Sequence, residues 1–462
     1  MMIMQQLITE HITEQRRYYL SGATRDSDFR KQQLLKLKAA ILKYEQAITS
    51  ALYEDLHKSE FEAYATEIGL VLESINYMVA NVDEWMTPEI VKTALPYQPG
   101  KSFIMREPYG VTLIIAPFNY PFQLVMEPLI GAIVGGNTAI VKPSEMTAAT
   151  TKVVKQIIEE TFASHYIAVV EGEKDVVQAL IHAPFDYIFF TGSVAVGKLV
   201  AQAAAERLTP IGLELGGKSP AIVDHTANLS IAAKRIAWGK FTNAGQTCVA
   251  PDYVMVHRNV AERFVKELKK AIRAFYGKDA KQSEDYGRIV NDRHFTRLMK
   301  LVGAEHESIC YGGMHDAATR YIEPTLLYDV DFSHASMQDE IFGPILPIII
   351  YDDLAFALAE IATKPKPLAA YFFSEHKGAQ DYFLEALSFG GGCINDTITH
   401  VGSTSLPFGG VGTSGVGAYH GKASFESFTH AKSIYRKSTK LETNLLFPPY
   451  HDRVKLVKKI MK

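Results

Sequence analysis

Cysteine is scarce: Cys248, Cys310 and Cys393 are the only three in 462 residues, widely spaced and with no Cys-x-x-Cys pair. That excludes a disulfide framework and a cysteine zinc site, and it points to a reducing compartment. The 15 histidines show no His-Glu-x-x-His or similar ligand spacing, so no metal is expected. No charge of one sign prevails, since 48 Lys and Arg stand against 51 Asp and Glu. Such a balance leaves no electrostatic footprint for nucleic acid. Long apolar runs are missing too. The most apolar stretch, 111–141, is broken by Asn119, Pro121, Glu127, Pro128 and Asn137, and cannot cross a membrane as one helix. Residues 1–30 carry charges throughout and lack a signal-peptide pattern, so a cytoplasmic protein is expected.

What is present is an ordinary globular balance, 47% hydrophobic and 21% charged, in a chain long enough for two or three domains. Residues 6–85 carry helical periodicity and no proline. Strands are expected at 102–106 and 111–115 around a Pro-Tyr-Gly turn. Beyond them strands (138–141, 167–170, 187–190) alternate with helices (147–162, 175–180, 194–207). A second alternating series runs from 220 to about 394, and 424–436 reads as β. Alternation of this kind implies parallel strands with crossover helices, hence two doubly wound α/β units.

Two strings carry chemistry. In Phe241-Thr-Asn-Ala-Gly-Gln-Thr-Cys248-Val-Ala-Pro-Asp-Tyr253 a lone thiol stands at a loop-to-strand junction, where a carbonyl carbon can reach it. A lone cysteine is more often a small buried hydrophobe, but a thiol titrating near ~8.5 is also the readiest nucleophile among side chains. In Leu213-Glu214-Leu-Gly-Gly-Lys-Ser-Pro220 a glutamate lies between apolar residues, which raises its proton affinity and suits it to general-base work. Together the two strings resemble the aldehyde dehydrogenase superfamily, and Ala250-Pro251-Asp252-Tyr253 resembles its class 3 branch. The likeness runs over residues 50–450.

The resemblance implies two Rossmann-like α/β domains and a small β arm. The expected boundaries are 1–97 with 109–213 for the cofactor domain and 214–412 for the catalytic domain. Residues 98–108 with 421–446 would form an oligomerisation arm and 447–462 a basic tail. It implies a homodimer, an aldehyde substrate, and NAD as cofactor with NADP possible. Phe190-Thr-Gly192-Ser193-Val-Ala-Val196-Gly197-Lys198 follows a strand and opens a helix, the placement of a pyrophosphate-binding turn. Lys142 and Glu145 would meet the adenosine ribose, Glu340 the nicotinamide ribose, and Phe342 the nicotinamide end, with Ile115 and Leu215 as further contacts. A carboxylate at Glu145 would repel a 2′-phosphate, which favours NAD.

Asn119, in Ile115-Ala-Pro-Phe-Asn119-Tyr-Pro121, would join the Cys248 backbone N–H as an oxyanion hole. Cys248 would attack the aldehyde and Glu214 would activate the water that hydrolyses the thioester. Relatives that pass the acyl group to coenzyme A generally lack that base; acyl transfer to coenzyme A is the alternative reaction. Tyr64, Tyr120, Phe122, Ile398 and Phe408 would suit medium- or long-chain aliphatic or aromatic aldehydes.

Overall fold

The computed structural model describes residues 2–440, 442 and 447–461. Part of the arm expected at 421–446, namely 441 and 443–446, and the last residue of the tail lie outside the described residues.

Helices come first, at Met2–Leu20, Ser27–Leu56 and Gly69–Met86. Asp26 caps the second by accepting the Asp28 N–H, and the helix stops where His57 turns left-handed at φ 58°. Ser59 then caps a new turn, Glu60–Ala63, which passes into a π-helical turn, Tyr64–Ile68. The helical layer therefore holds a break at 57–59, where periodicity alone suggested continuity.

The first sheet has six strands. Its parallel members lie in the spatial order Ile167–Val169, Thr138–Lys142, Val111–Ile115, Tyr187–Thr191, Ile211–Glu214. The order reverses beside Val111–Ile115, and ligands of such sheets bind at the carboxyl ends of strands near that point. Val111–Ile115 and Thr138–Lys142 are buried at every residue, as central parallel strands are when helices cover both faces. The short strand Gly415–Val416 closes the edge antiparallel to Ile211–Glu214, with Gly415 opposite Glu214.

The second sheet has seven strands, parallel except for the edge strand Ile309–Tyr311. Its centre is Tyr253–His257 between Pro220–Val223 and Ile345–Tyr351. The two doubly wound units expected from the alternation are both present.

Glu89–Val91, Gly100–Pro108 and Thr429–Lys437 form a separate antiparallel sheet, the last two paired over nine residues. One expectation is corrected here. The β reading of 424–436 holds only from Thr429, because Gly421–Ser427 is a helix. Gly421, Ser424, Phe425 and Phe428 are buried, the i, i+3, i+4, i+7 spacing of a helical face. Among the described residues no helix is long and apolar enough to cross a membrane, and no group of three or more His, Cys, Asp or Glu is arranged to hold a metal ion.

Candidate active site

The helix Leu229–Phe241 delivers the chain to a tight turn in which Asn243, Ala244 and Gly245 all take positive φ (52°, 50° and 75°). Two non-glycine residues in that region carry strain that surrounding bonds must offset. Those bonds are visible. Gln246 donates to the Asn243 and Arg288 carbonyls and accepts from Val290 N–H, so one amide side chain pins the turn. A Cβ on Gly245 would overlap the Gly343 carbonyl, so glycine lets the turn seat against the loop at 340–343. Cys248 follows, partly exposed, before the strand Tyr253–His257. The Tyr371 hydroxyl donates to Val249 O at 2.6 Å and fixes the backbone just beyond the sulfur.

Burial holds the Cys248 thiol above its ordinary range, and the nearby Glu340 and Glu214 carboxyls add to this; its own N–H and that of Val249 pull the other way. The sulfur is therefore a thiol at rest. Glu214 ends the strand Ile211–Glu214, is buried, and has no hydrogen-bond partner among the described residues for either carboxylate oxygen. Desolvation raises its proton affinity well above that of an ordinary carboxylate. Asn119 follows the strand Val111–Ile115 in the first sheet and is buried. Its backbone carbonyl accepts from Lys58 Nζ (3.0 Å) and Asn243 Nδ2 (2.7 Å). Tyr120, the next residue, meets Thr247 hydroxyl to hydroxyl at 2.7 Å and so joins the Asn119 loop to the cysteine loop.

Cys248 opens into a cavity of about 640 Å³, walled largely by apolar side chains such as Leu124, Trp238, Phe275, Ile398 and Phe408. Of the five residues expected to shape a substrate pocket, Tyr120, Ile398 and Phe408 line it. Phe122 does not, because it is fully buried in the core, and Tyr64 is exposed outside the cavity wall. Glu62, Thr66, Tyr276 and Asp285 also line the cavity; Glu62 lies in the stretch 55–64, which resembles the class 3 branch but was given no site role, and the other three carried no motif.

The residues expected to hold the cofactor gather at the carboxyl edge of the first sheet. Ile115, Lys142 and Phe190 are register neighbours at the ends of adjacent strands. Gly192 and Ser193 follow, and Ser193 caps the helix Val194–Ala205 by accepting Val196 N–H. Gly197 packs against Leu215, where any Cβ would collide with the leucine side chain. Val196 remains exposed on the first helical turn. Lys142 Nζ, buried, is ion-paired with the partly exposed Glu145 carboxylate. Glu340 lies over Gly216, which has no room for a Cβ there, and burial beside Asp252 pushes its carboxyl up to about 8. Phe342, at φ 49°, packs edge-on against Phe118. Free N–H groups at a helix start, a glycine beside them and a lysine–carboxylate pair two strands away fit a dinucleotide.

A family model described as the aldehyde dehydrogenase family matches residues 14–434. The chain is 53% identical over 456 residues to a 4,4′-diaponeurosporen-aldehyde dehydrogenase of Staphylococcus aureus (strain NCTC 8325 / PS 47), covering 99% of each chain. It is 46% identical over 426 residues, 92% of this chain and 94% of the relative, to a dimeric NADP-preferring aldehyde dehydrogenase of Canis lupus familiaris. Among solved structures, the substrate-bound state of Staphylococcus aureus AldH superposes with a TM-score of 0.97 at 53% identity, covering 98% of this chain and 99% of the other.

Proposed function

The chain belongs to the aldehyde dehydrogenase family and is an NAD(P)-dependent enzyme of aldehyde oxidation, and on that premise we propose a mechanism centred on Cys248, Glu214 and Asn119. Cys248 Sγ attacks the aldehyde carbon, and its proton passes to solvent water in the cavity as the C–S bond forms. The Asn119 amide and the Cys248 N–H stabilise the oxyanion, and one such donor typically contributes about 3 kcal/mol. A dinucleotide held by Lys142, Glu145, the Gly192–Ser193 turn and Glu340 would supply the hydride acceptor. The enzyme is left as a thioester on Cys248. Glu214 takes a proton from water, the hydroxide adds to the thioester, and the carboxylic acid leaves.

The observation that carries this reading is Glu214, a buried carboxyl with raised proton affinity and no partner for either oxygen, close enough to Cys248 for its charge to bear on the thiol. A base in that state suits hydrolysis rather than acyl transfer to coenzyme A. Cys248→Ala is expected to abolish NADH production while dinucleotide binding persists. Glu214→Gln is expected to lower the steady-state rate by ~10²–10⁴ and leave a burst of about one NADH per site. An undiminished steady state in Glu214→Gln would assign the base elsewhere.

The apolar cavity supports medium- to long-chain aliphatic or aromatic aldehydes as substrates. A panel from hexanal to hexadecanal with benzaldehyde, read by NADH absorbance, tests this; exclusive turnover of short polar aldehydes would overturn it. The Glu145 carboxylate supports a preference for NAD over NADP. Replacing it by glutamine is expected to shift the ratio of kcat/KM toward NADP by about tenfold, as removal of one repulsive charge implies. An unchanged ratio would take Glu145 out of cofactor choice. The scarcity of cysteine supports a cytoplasmic location, and the arm sheet supports a homodimer.

A further inference from the structure

Lys58 and Glu67 form an ion pair at 2.5 Å in which neither side chain is exposed at all. A fully buried pair adds little net stability, because desolvation of both charges offsets their attraction. Its other bonds show where it acts. Lys58 Nζ also donates to the Asn119 carbonyl at 3.0 Å and stands 3.9 Å from the centre of the Tyr120 ring. The second Glu67 oxygen accepts the N–H groups of Phe122 (2.9 Å) and Gln123 (3.1 Å), at the start of the helix Gln123–Gly135. One pair thus grips residues 119, 120, 122 and 123. The π-helical turn Tyr64–Ile68 carries Glu67 to this place; an extra residue in a helical turn rotates the residues beyond it, and such turns recur at functional sites.

The Asn119 carbonyl is thereby held from two sides, by Lys58 and by Asn243, while the Asn119 side-chain amide makes no hydrogen bond among the described residues. Holding the 119–120 peptide plane fixes the Asn119 Cα and narrows the region in which its unengaged amide can aim. We propose that the buried Lys58–Glu67 pair is a positioning device that holds Asn119 as an oxyanion donor opposite Cys248. This rests on the oxyanion role given to Asn119 above. Neither charged residue touches the substrate; both act through the loop.

The test is a mutant cycle read in the first turnover of NADH formation, with decanal and with benzaldehyde at saturating NAD. Lys58→Met with Glu67→Gln removes both charges and keeps an acceptor for the two helix N–H groups. It is expected to slow the first turnover by between ~10- and ~100-fold, the scale of a 1 Å misplacement, with NAD affinity unchanged. In an Asn119→Ala background the same pair of changes is expected to cost less than about threefold, because residues acting as a unit are not additive. An equal loss in both backgrounds, or no loss in either, would overturn the proposal. If that variant does not fold, Lys58→Gln with Glu67→Gln, which keeps hydrogen bonds on both sides, enters the same cycle under the same criteria. Asn119→Ala alone separates the two readings. If it leaves the first turnover unchanged, the oxyanion assignment fails and takes this proposal with it. If it slows turnover while the pair behaves additively, only the positioning role fails.

Discussion

Glu62 shows what a single side chain does to this cavity. It is 9% exposed, lines the wall and has one carboxylate oxygen without a partner. Burial pushes its carboxyl up to about 7, with the Lys58 charge opposing the rise. Below that pH the Glu62 carboxyl is neutral, and above it the Glu62 carboxylate faces an apolar aldehyde chain. KM for decanal is therefore expected to rise about three- to tenfold between pH 6 and 8.5, and Glu62→Gln to remove that rise. The same slope in the variant would exclude Glu62 as its source. Residues of this kind mark the limit of reading the sequence. Cys248, Glu214 and Asn119 were singled out because their strings together resemble the aldehyde dehydrogenase superfamily; taken alone, each has an ordinary structural reading. Glu62 and Lys58 sit in the stretch 55–64, read as helix and as resembling the class 3 branch but given no role, because a charge on a helix is usually a solvated face. Glu67 did leave a trace, since it falls in step with the apolar Val71, Ile75, Met78 and Val82.

The helix Gln123–Gly135 is buried at every residue and contains Pro128 and Glu127. Glu127 has one hydrogen bond, from Ser74 Oγ at 2.8 Å, and burial pushes its carboxyl up to about 8. Its folded pKa lies above the unfolded value near ~4.3, so the folded state holds the proton more tightly. The stability it supports is whole below about pH 4.5 and falls as pH rises toward 8. Glu127→Gln, which cannot titrate, is expected to lessen the loss of unfolding free energy between pH 5 and pH 8 by roughly 3 kcal/mol. Urea unfolding at the two pH values measures it, and parallel losses in both proteins would refute it. Elements were the most legible scale: the interrupted apolar run at 111–141 resolves into a strand, this helix and a strand. Spatial strand order was not legible, because β pairing joins segments that local periodicity cannot relate. The helix Gly421–Ser427 was misread because its serines and phenylalanines suit a strand until the burial spacing is seen.

Across the whole molecule, the arm sheet ties the two ends of the chain together. Asn137, from the first sheet, donates to Phe428 O and accepts Gly110 N–H, joining that sheet to the start of the last strand. Ile90, Tyr97, Met105 and Tyr435 are exposed on or beside the arm. An apolar surface of this kind on an open-edged sheet suits a second copy of the chain. Sedimentation is expected to give twice the mass of one chain, and Tyr435→Asp with Ile90→Asp to shift it toward one. A native protein sedimenting as a monomer would remove the arm from that role.

The strand Gly415–Val416 brings a late segment back against Ile211–Glu214, and Leu215 N–H reaches Ser414 O. The three side chains proposed to react are translated well before that segment exists. On the ribosome, the glutamate would therefore wait beside an open sheet edge until nearly the whole chain had emerged.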